Sequence, residues 1–163
     1  MGCLGVHFAV PDDVAERLLS AEDDDEVLLV IEDIEEAMTG LDQCGTDKAW
    51  DAIHRCLTDG RLAFDNGSYP LNAAVLGGRQ LHQGEDYTVS LLTPQQVRDV
   101  AHALEEVSRA TLRAGYLAID PDDYGPEFGD EDFDYTWEHF TDLVTFLQRS
   151  ARTANHVIFT VDQ

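Results

Sequence analysis

Three side chains at helical spacing, Asp47, Asp51 and His54, are the residues of this chain best placed for acid–base chemistry. At about 100° per residue, Asp47 and His54 project about 20° apart, with Asp51 about 40° from Asp47. A carboxylate beside an imidazole orients it, so the pattern suits a general base in a small hydrolase-like enzyme. The rest of such a constellation is not in the sequence. No HExxH, no second adjacent histidine and no GxSxG nucleophile accompanies the three residues. The competing reading is architectural: Asp47 sits at a helix start, Trp50 anchors the core, and His54 is partly buried and hydrogen-bonded by a neighbouring loop. That reading commits no residue to catalysis.

A second pattern runs from Asp120 to Glu131. Asp120 and Asp122 fall at positions one and three of a calcium loop, Gly125 at six and Glu131 at twelve. Tyr124 stands at position five, where an oxygen ligand is needed, and Pro121 and Pro126 constrain the segment. Asp120, Asp122 and Glu131 are thus a weak calcium candidate, and a solvated loop is the better reading. The run Glu22-Asp23-Asp24-Asp25-Glu26 reads as a loop and helix start, because adjacent acids on a flexible segment repel one another. Gly77-Gly78 lacks a GxGxxG pattern and a Walker lysine and reads as a helix stop. Cys3, Cys44 and Cys56 are odd in number with no CxxC pair, so free thiols are expected. No metal or cofactor is expected.

These residues need elements to hold them. Thr46 reads as an N-cap and Gly60 as a left-handed stop for a helix carrying Trp50, Ile53 and Leu57 on its apolar face, with Lys48, Ala52 and Arg55 further round. Strands are expected at Leu4–Val10, with His7 on the polar face, at Tyr87–Leu92 and at 156–161, the last interior to the sheet. Helices are expected from Pro11 to about Ser20 with Val14, Leu18 and Leu19 inward, and from Val27 to about Met38, stopping at Gly40. A buried strand over residues 27–31 is the alternative there. Residues 70–76 read as two short helical turns, Leu81–Gly84 as an edge strand or loop, and His82 as a surface loop residue. Thr93, Pro94 and Gln96 spell a capping box ahead of the stripe Val97, Val100, Ala101, Leu104 and Val107. A further helix is expected from Ser108, ending around Gly115, and a last one from about Phe133 to Ser150 with Trp137, Phe140, Leu143, Val144 and Leu147 inward.

The segment Asp47-Lys48-Ala49-Trp50-Asp51 with Ile53-His54, then Leu57-Thr58 before Gly60, resembles the YfbM-like family of bacterial proteins, catalogued as a domain of unknown function. Ala74-Val75-Leu76-Gly77-Gly78 and the opening Met1-Gly2-Cys3-Leu4-Gly5 are similar to it as well. This sequence departs from the pattern at Asp59, which stands between Leu57-Thr58 and Gly60, and in the very acidic region after residue 119. The resemblance implies one α+β domain over 1–163 and brings no catalytic residues with it. The expected architecture is a small, mostly antiparallel sheet of N-terminal, middle and C-terminal strands packed against several helices.

Composition narrows the function classes. The 163 residues include 33 acids and 10 bases, a formal net charge of −23. Such a field repels nucleic acid and anionic membrane and attracts basic proteins or cations. No run of 18 apolar residues and no signal-peptide pattern is present, so a cytoplasmic protein is expected. The reading is a non-catalytic acidic interaction protein that binds a basic protein partner, immunity-like in kind. A small hydrolase using Asp47, Asp51 and His54 is the alternative, and homodimerisation stays open.

Overall fold

The computed structural model describes residues 3–37 and 42–162. Among these residues five strands form one antiparallel sheet: β1 (Gly5–Val10), β2 (Gln43–Asp47), β3 (Arg79–Gln80), β4 (Tyr87–Leu92) and β5 (His156–Asp162). Their order is β2-β1-β5-β4-β3, so β5 is central, as its continuous apolar run predicts. In register, Thr160 of β5 lies opposite Val6 of β1 on one side and Val89 of β4 on the other. Among the described residues seven helices complete the α+β fold: α1 (Asp12–Ser20), α2 (Asp24–Ala37), α3 (Ala49–Leu57), α4 (Pro94–Glu105), α5 (Arg109–Leu117), α6 (Pro121–Tyr124) and α7 (Asp130–Arg152). A single 3-10 turn, Leu71–Ala73, stands where two helical turns are expected.

Alternation along the strands sorts the core into two layers. Phe8 and Val10 of β1, Val89 and Leu91 of β4 and Ile158 of β5 pack with Leu18 of α1 and Val27, Val30, Ile31 and Ile34 of α2. Ala9, Leu92, Val157, Phe159 and Val161 point the other way, into the layer built by α3, α4, α5 and α7. Residues 27–31 are helical. The helix is started by Asp23, whose carboxylate accepts from the Glu26 amide at 2.9 Å, and its buried residues recur at helical spacing. Met38 and Gly40, the expected end of this helix, lie outside the described residues. In α1 it is Ala15 and Leu18 that are buried, while Leu19 is 42% exposed, a correction to its inward assignment.

Because helices cover both faces of the sheet, β1 has no polar face, and His7 is 1% exposed rather than solvent-facing. It sits 4.8 Å from the Phe159 ring centroid, and its Nε2–H donates to the Ala74 carbonyl at 2.8 Å. His82 is likewise inside, its side chain 3% exposed beside Asp24. Asp24 accepts from the amides of Gln83 and Gly84 and so ties the β3–β4 turn to the start of α2.

On the other side, Thr93 and Gln96 form the capping box of α4, and Val97, Val100, Ala101 and Leu104 are its buried stripe. The helix expected to end at Gly115 continues to Leu117. Gly115 is a contact residue: a Cβ there would lie 2.4 Å from the Cys56 carbonyl oxygen of α3. The long helix α7 begins at Asp130, three residues before its expected start, because Asp130, Glu131 and Asp132 suit the positive end of the dipole. It buries Phe133, Phe140, Leu143, Phe146 and Leu147, while Trp137 and Val144 are only partly covered.

Two outcomes follow from this packing. Burial lowers the His7 pKa from 6.5 to about 4, against a smaller opposing effect of the Ala74 carbonyl. The unfolded chain protonates this imidazole near pH 6.5 while the folded chain holds it neutral. The associated stability is therefore complete above pH 6.5 and is lost as pH falls toward 4. His7→Gln, which keeps a donor for Ala74, is expected to lose about 2 kcal/mol less than wild type between pH 7 and pH 5 in urea unfolding; parallel pH profiles would assign the acid sensitivity elsewhere. Gly115→Ala is expected to lower stability by about 1–3 kcal/mol despite the better helix propensity of alanine, because the new methyl meets backbone rather than a mobile side chain. An unchanged melting temperature would show that α3 and α5 can part without cost.

Candidate functional site

The helix carrying the motif starts two residues later than its spacing predicts, at Ala49 rather than Asp47. Thr46 is not a cap: it lies in β2, fully buried, with its hydroxyl donating to the Gly5 carbonyl at 3.2 Å. Asp47 then takes a left-handed conformation, φ +47°, which aspartate tolerates, and turns the chain into α3. The start of the helix is satisfied from α7 instead. The Lys48 amide donates to the Tyr135 hydroxyl at 3.1 Å, and that hydroxyl donates to Asp47 Oδ2 at 2.7 Å. Burial and the Asp47 carboxylate push the Tyr135 phenol up to about 12, so it remains a donor. At the far end, Gly60 has φ +89° and its amide returns to the Arg55 carbonyl, the left-handed stop predicted from sequence.

Between these ends α3 is buried nearly all round. Trp50, Ile53 and Leu57 are inside as expected, but so are Ala52 and Arg55, because α5, α7, β2 and the 3-10 turn enclose the helix. Trp50 donates its indole N–H to the Cys3 carbonyl at 2.9 Å and packs against Phe159. Arg55 donates from Nε to Asp51 at 2.6 Å and from Nη1 to Asp123 at 2.7 Å, and lies 5.5 Å from the centre of the Tyr124 ring. Its two carboxylate partners hold its pKa above the usual arginine value despite opposing burial.

The three residues singled out from sequence therefore have separate partners: Asp47 engages Tyr135, Asp51 engages Arg55, and His54 engages the loop after the helix. His54 Nε2 lies 2.7 Å from the Ala63 carbonyl and 2.9 Å from Asn66 Oδ1. Both are acceptors, because Asn66 spends its amide hydrogens on Thr58, Asp59 and the Arg61 carbonyl. Nε2 must then carry the proton, which leaves the lone pair on Nδ1, a buried atom without a hydrogen-bond partner among the described residues. Burial also lowers the His54 pKa, against the opposing effects of Asn66 and Ala63. The imidazole is neutral, and its basic nitrogen faces the interior.

Two cavities meet at Lys48 and Asp51. One of about 380 Å³ is lined by Lys48, Asp51, Tyr124, Glu127, Asp132 and Tyr135. The other, about 290 Å³, is lined by Cys3, Lys48, Trp50, Asp51 and Leu62. Asp132 Oδ2 accepts from the hydroxyls of Tyr116 at 2.7 Å and Tyr124 at 2.8 Å, which fixes the wall of the first cavity. Larger cavities lie beside His82 and beside Arg109 and Arg113, at about 480 and 460 Å³. The Lys48–Asp51 cleft is where the sequence motif reaches open space. Asp132 and Tyr135 carry no signal in the sequence and Tyr124 enters there only as a misfit in the calcium pattern, since all three approach α3 from more than 60 residues away.

The calcium pattern does not form a loop of converging ligands. Asp120 caps α6 by accepting from the Asp122 amide, Asp122 is exposed on that helix, and Glu131 stands in the first turn of α7. Among the described residues no three His, Cys, Asp or Glu side chains gather as a metal site would require. Cys3, Cys44 and Cys56 are free, and burial raises the Cys44 and Cys56 thiols to about 11 and about 12, the opposite of nucleophile activation.

Comparison with known proteins places this arrangement. A family described as a domain of unknown function, DUF1877, matches residues 1–160. Protein YfbM of Escherichia coli strain K12 is 31% identical over 114 residues, which take in 69% of this chain and 65% of that relative's length. A crystal structure of YfbM from Escherichia coli, described as a protein of unknown function, superposes with a TM-score of 0.72 at 24% identity, covering 97% of this chain and 99% of the other. That likeness supports the fold. With the match running over nearly all its residues, the chain belongs to the DUF1877 family, to which its Asp47–Gly60 segment already pointed.

Proposed function

We propose that this chain is a non-catalytic binding protein whose acidic surface engages a basic protein partner, as an immunity protein engages the protein it neutralises. The observation that carries this reading is the outer surface of the α1–α2 layer. Between Asp12 and Glu36 the sequence holds twelve acids and one base, Arg17, which is paired with Asp33. On α2, Asp25, Leu29, Glu32 and Glu36 fall on one stripe at about 100° per residue, and all four are exposed. Leu29 is 60% exposed at its centre, and the three acids have no cationic partner among the described residues. An apolar residue ringed by unneutralised carboxylates suits a basic surface with an apolar anchor.

Four other arginines are paired with carboxylates: Arg55 with Asp51 and Asp123, Arg61 with Asp59, Arg109 with Asp134, and Arg113 with Asp130. The excess of negative charge is thus left on the surface, where it steers a basic partner. The hydrolase reading has less support, since the His54 lone pair faces the interior and Asp51 is held by Arg55. No helix among the described residues is long and apolar enough to cross a membrane.

The test is charge reversal on the stripe. Basic proteins retained by the native chain from lysate at about 150 mM salt are identified and their affinities measured with the purified pair. Asp25→Lys/Glu32→Lys/Glu36→Lys is expected to weaken binding at least tenfold with the melting temperature kept, and wild-type affinity is expected to fall as salt rises. Equal binding by the reversed protein, or no basic protein retained by the wild type, would overturn the assignment.

A further inference from the structure

The cleft at Lys48 has a feature that the acidic surface does not explain. Lys48 is the sole lysine of the chain, it is exposed, and its ammonium makes no ion pair among the described residues, although Asp51, Glu127 and Asp132 line the same cavity. Its backbone is fixed at the cavity rim by the Tyr135 hydroxyl, so its stem starts from a defined position. The carboxylates across the cavity keep free acceptor capacity. Asp51 gives Oδ1 to Arg55, Asp132 gives Oδ2 to two tyrosine hydroxyls, and the second oxygen of each is unclaimed among the described residues. Glu127 is exposed and has no cationic partner there.

Aromatic and apolar groups complete the lining. Tyr124 and Tyr135 wall the side that carries the acids. The adjoining cavity shares Lys48 and Asp51 but is otherwise made by Cys3, Trp50 and Leu62. One cavity thus offers acids and rings, the other an apolar wall, with a lone ammonium between them. Its volume of about 380 Å³ lies within the roughly 300–1,000 Å³ of small-molecule sites.

We propose that this cleft binds a free α-amino acid with an apolar side chain. The ligand's carboxylate pairs with Lys48, its ammonium sits among Asp51, Glu127 and Asp132 against the tyrosine rings, and its side chain lies over Trp50 and Leu62. A simple cation would use the acids and be repelled by Lys48; a simple anion would do the reverse. Only a ligand carrying both charges satisfies both walls. The site lies on a different part of the molecule from the α2 stripe and does not depend on the docking surface there.

Isothermal titration with L-leucine, L-methionine and L-phenylalanine tests the site, with 3-methylbutylamine and 4-methylpentanoate as probes that each lack one charge of leucine. At least one amino acid is expected to bind one-to-one, and the amine and the acid to bind at least tenfold more weakly. Lys48→Met and Glu127→Gln replace exposed side chains that make no ion pair among the described residues, so both are expected to melt like wild type and to weaken amino-acid binding by about tenfold. Binding of the amine as tight as that of leucine, strengthened by Lys48→Met, would make this a cation site and overturn the zwitterion reading. Absence of heat with all three amino acids, or undiminished binding in both variants, would equally overturn it.

Discussion

A buried guanidinium joins the two ends of this molecule's central problem, which is how a chain with a formal charge of −23 packs acidic segments against one another. The Arg55 side chain is 6% exposed and makes charge-assisted hydrogen bonds to Asp51 in its own helix and to Asp123 in α6, with a third donation to the Gly60 carbonyl. Without that cation, the stretch between Asp120 and Asp142, which has ten acids and no lysine or arginine, would meet α3 through Asp51 alone, like charge against like. A buried charge removed from its partners costs several kcal/mol, so the bridge constrains more than it adds in net stability. Tyr116 and Tyr124 complete the joint by donating to Asp132. Arg55 through Asp51, and the phenols through Asp132, fix two of the carboxylates that line the cleft at Lys48.

Polar residues in and around α3 serve this closure more than they serve any visible reaction. His54 fixes the loop through Ala63 and Asn66, and Asn66 in turn gathers Thr58, Asp59 and Arg61. His7 does the same for the segment ending at Ala74, within the same core layer. Each imidazole is used as a neutral donor with its lone pair sealed inside. What is left facing open space is Lys48, the outer oxygens of the carboxylates, and aromatic rings, a set suited to binding.

The sequence was most legible where a local device sets the structure. The capping box at Thr93 and Gln96, the strand Tyr87–Leu92 and the stop at Gly60 depend on residues within a few positions of one another, and their periodicity or capping chemistry names them. Strand β2 was illegible because Gln43-Cys44-Gly45-Thr46-Asp47 is a polar edge with no apolar alternation, while Thr46 and Asp47 look like the start of a helix. The burial of His7 depends on a second helical layer, which strand periodicity alone does not announce. Of the candidate cleft, Asp51 was a candidate in the sequence and Lys48 was placed on the same helix. The rest of its lining, Tyr124, Glu127, Asp132 and Tyr135, is set by the Arg55 bridge and the docking of α7, which are tertiary events.

The central place of β5 has a consequence for the order in which this protein can be completed. Its two neighbours, β1 and β4, lie earlier in the chain and do not pair with each other. During synthesis both therefore wait with an open hydrogen-bonding edge until residues 156–162 have emerged. For that interval the nascent chain exposes Phe8, Val10, Val89 and Leu91 beside unpaired backbone, the pattern that invites self-association. Mutual repulsion between chains this acidic opposes such encounters. The same surplus of carboxylates thus acts as an electrostatic chaperone, carried by the chain itself, until the last strand closes the sheet.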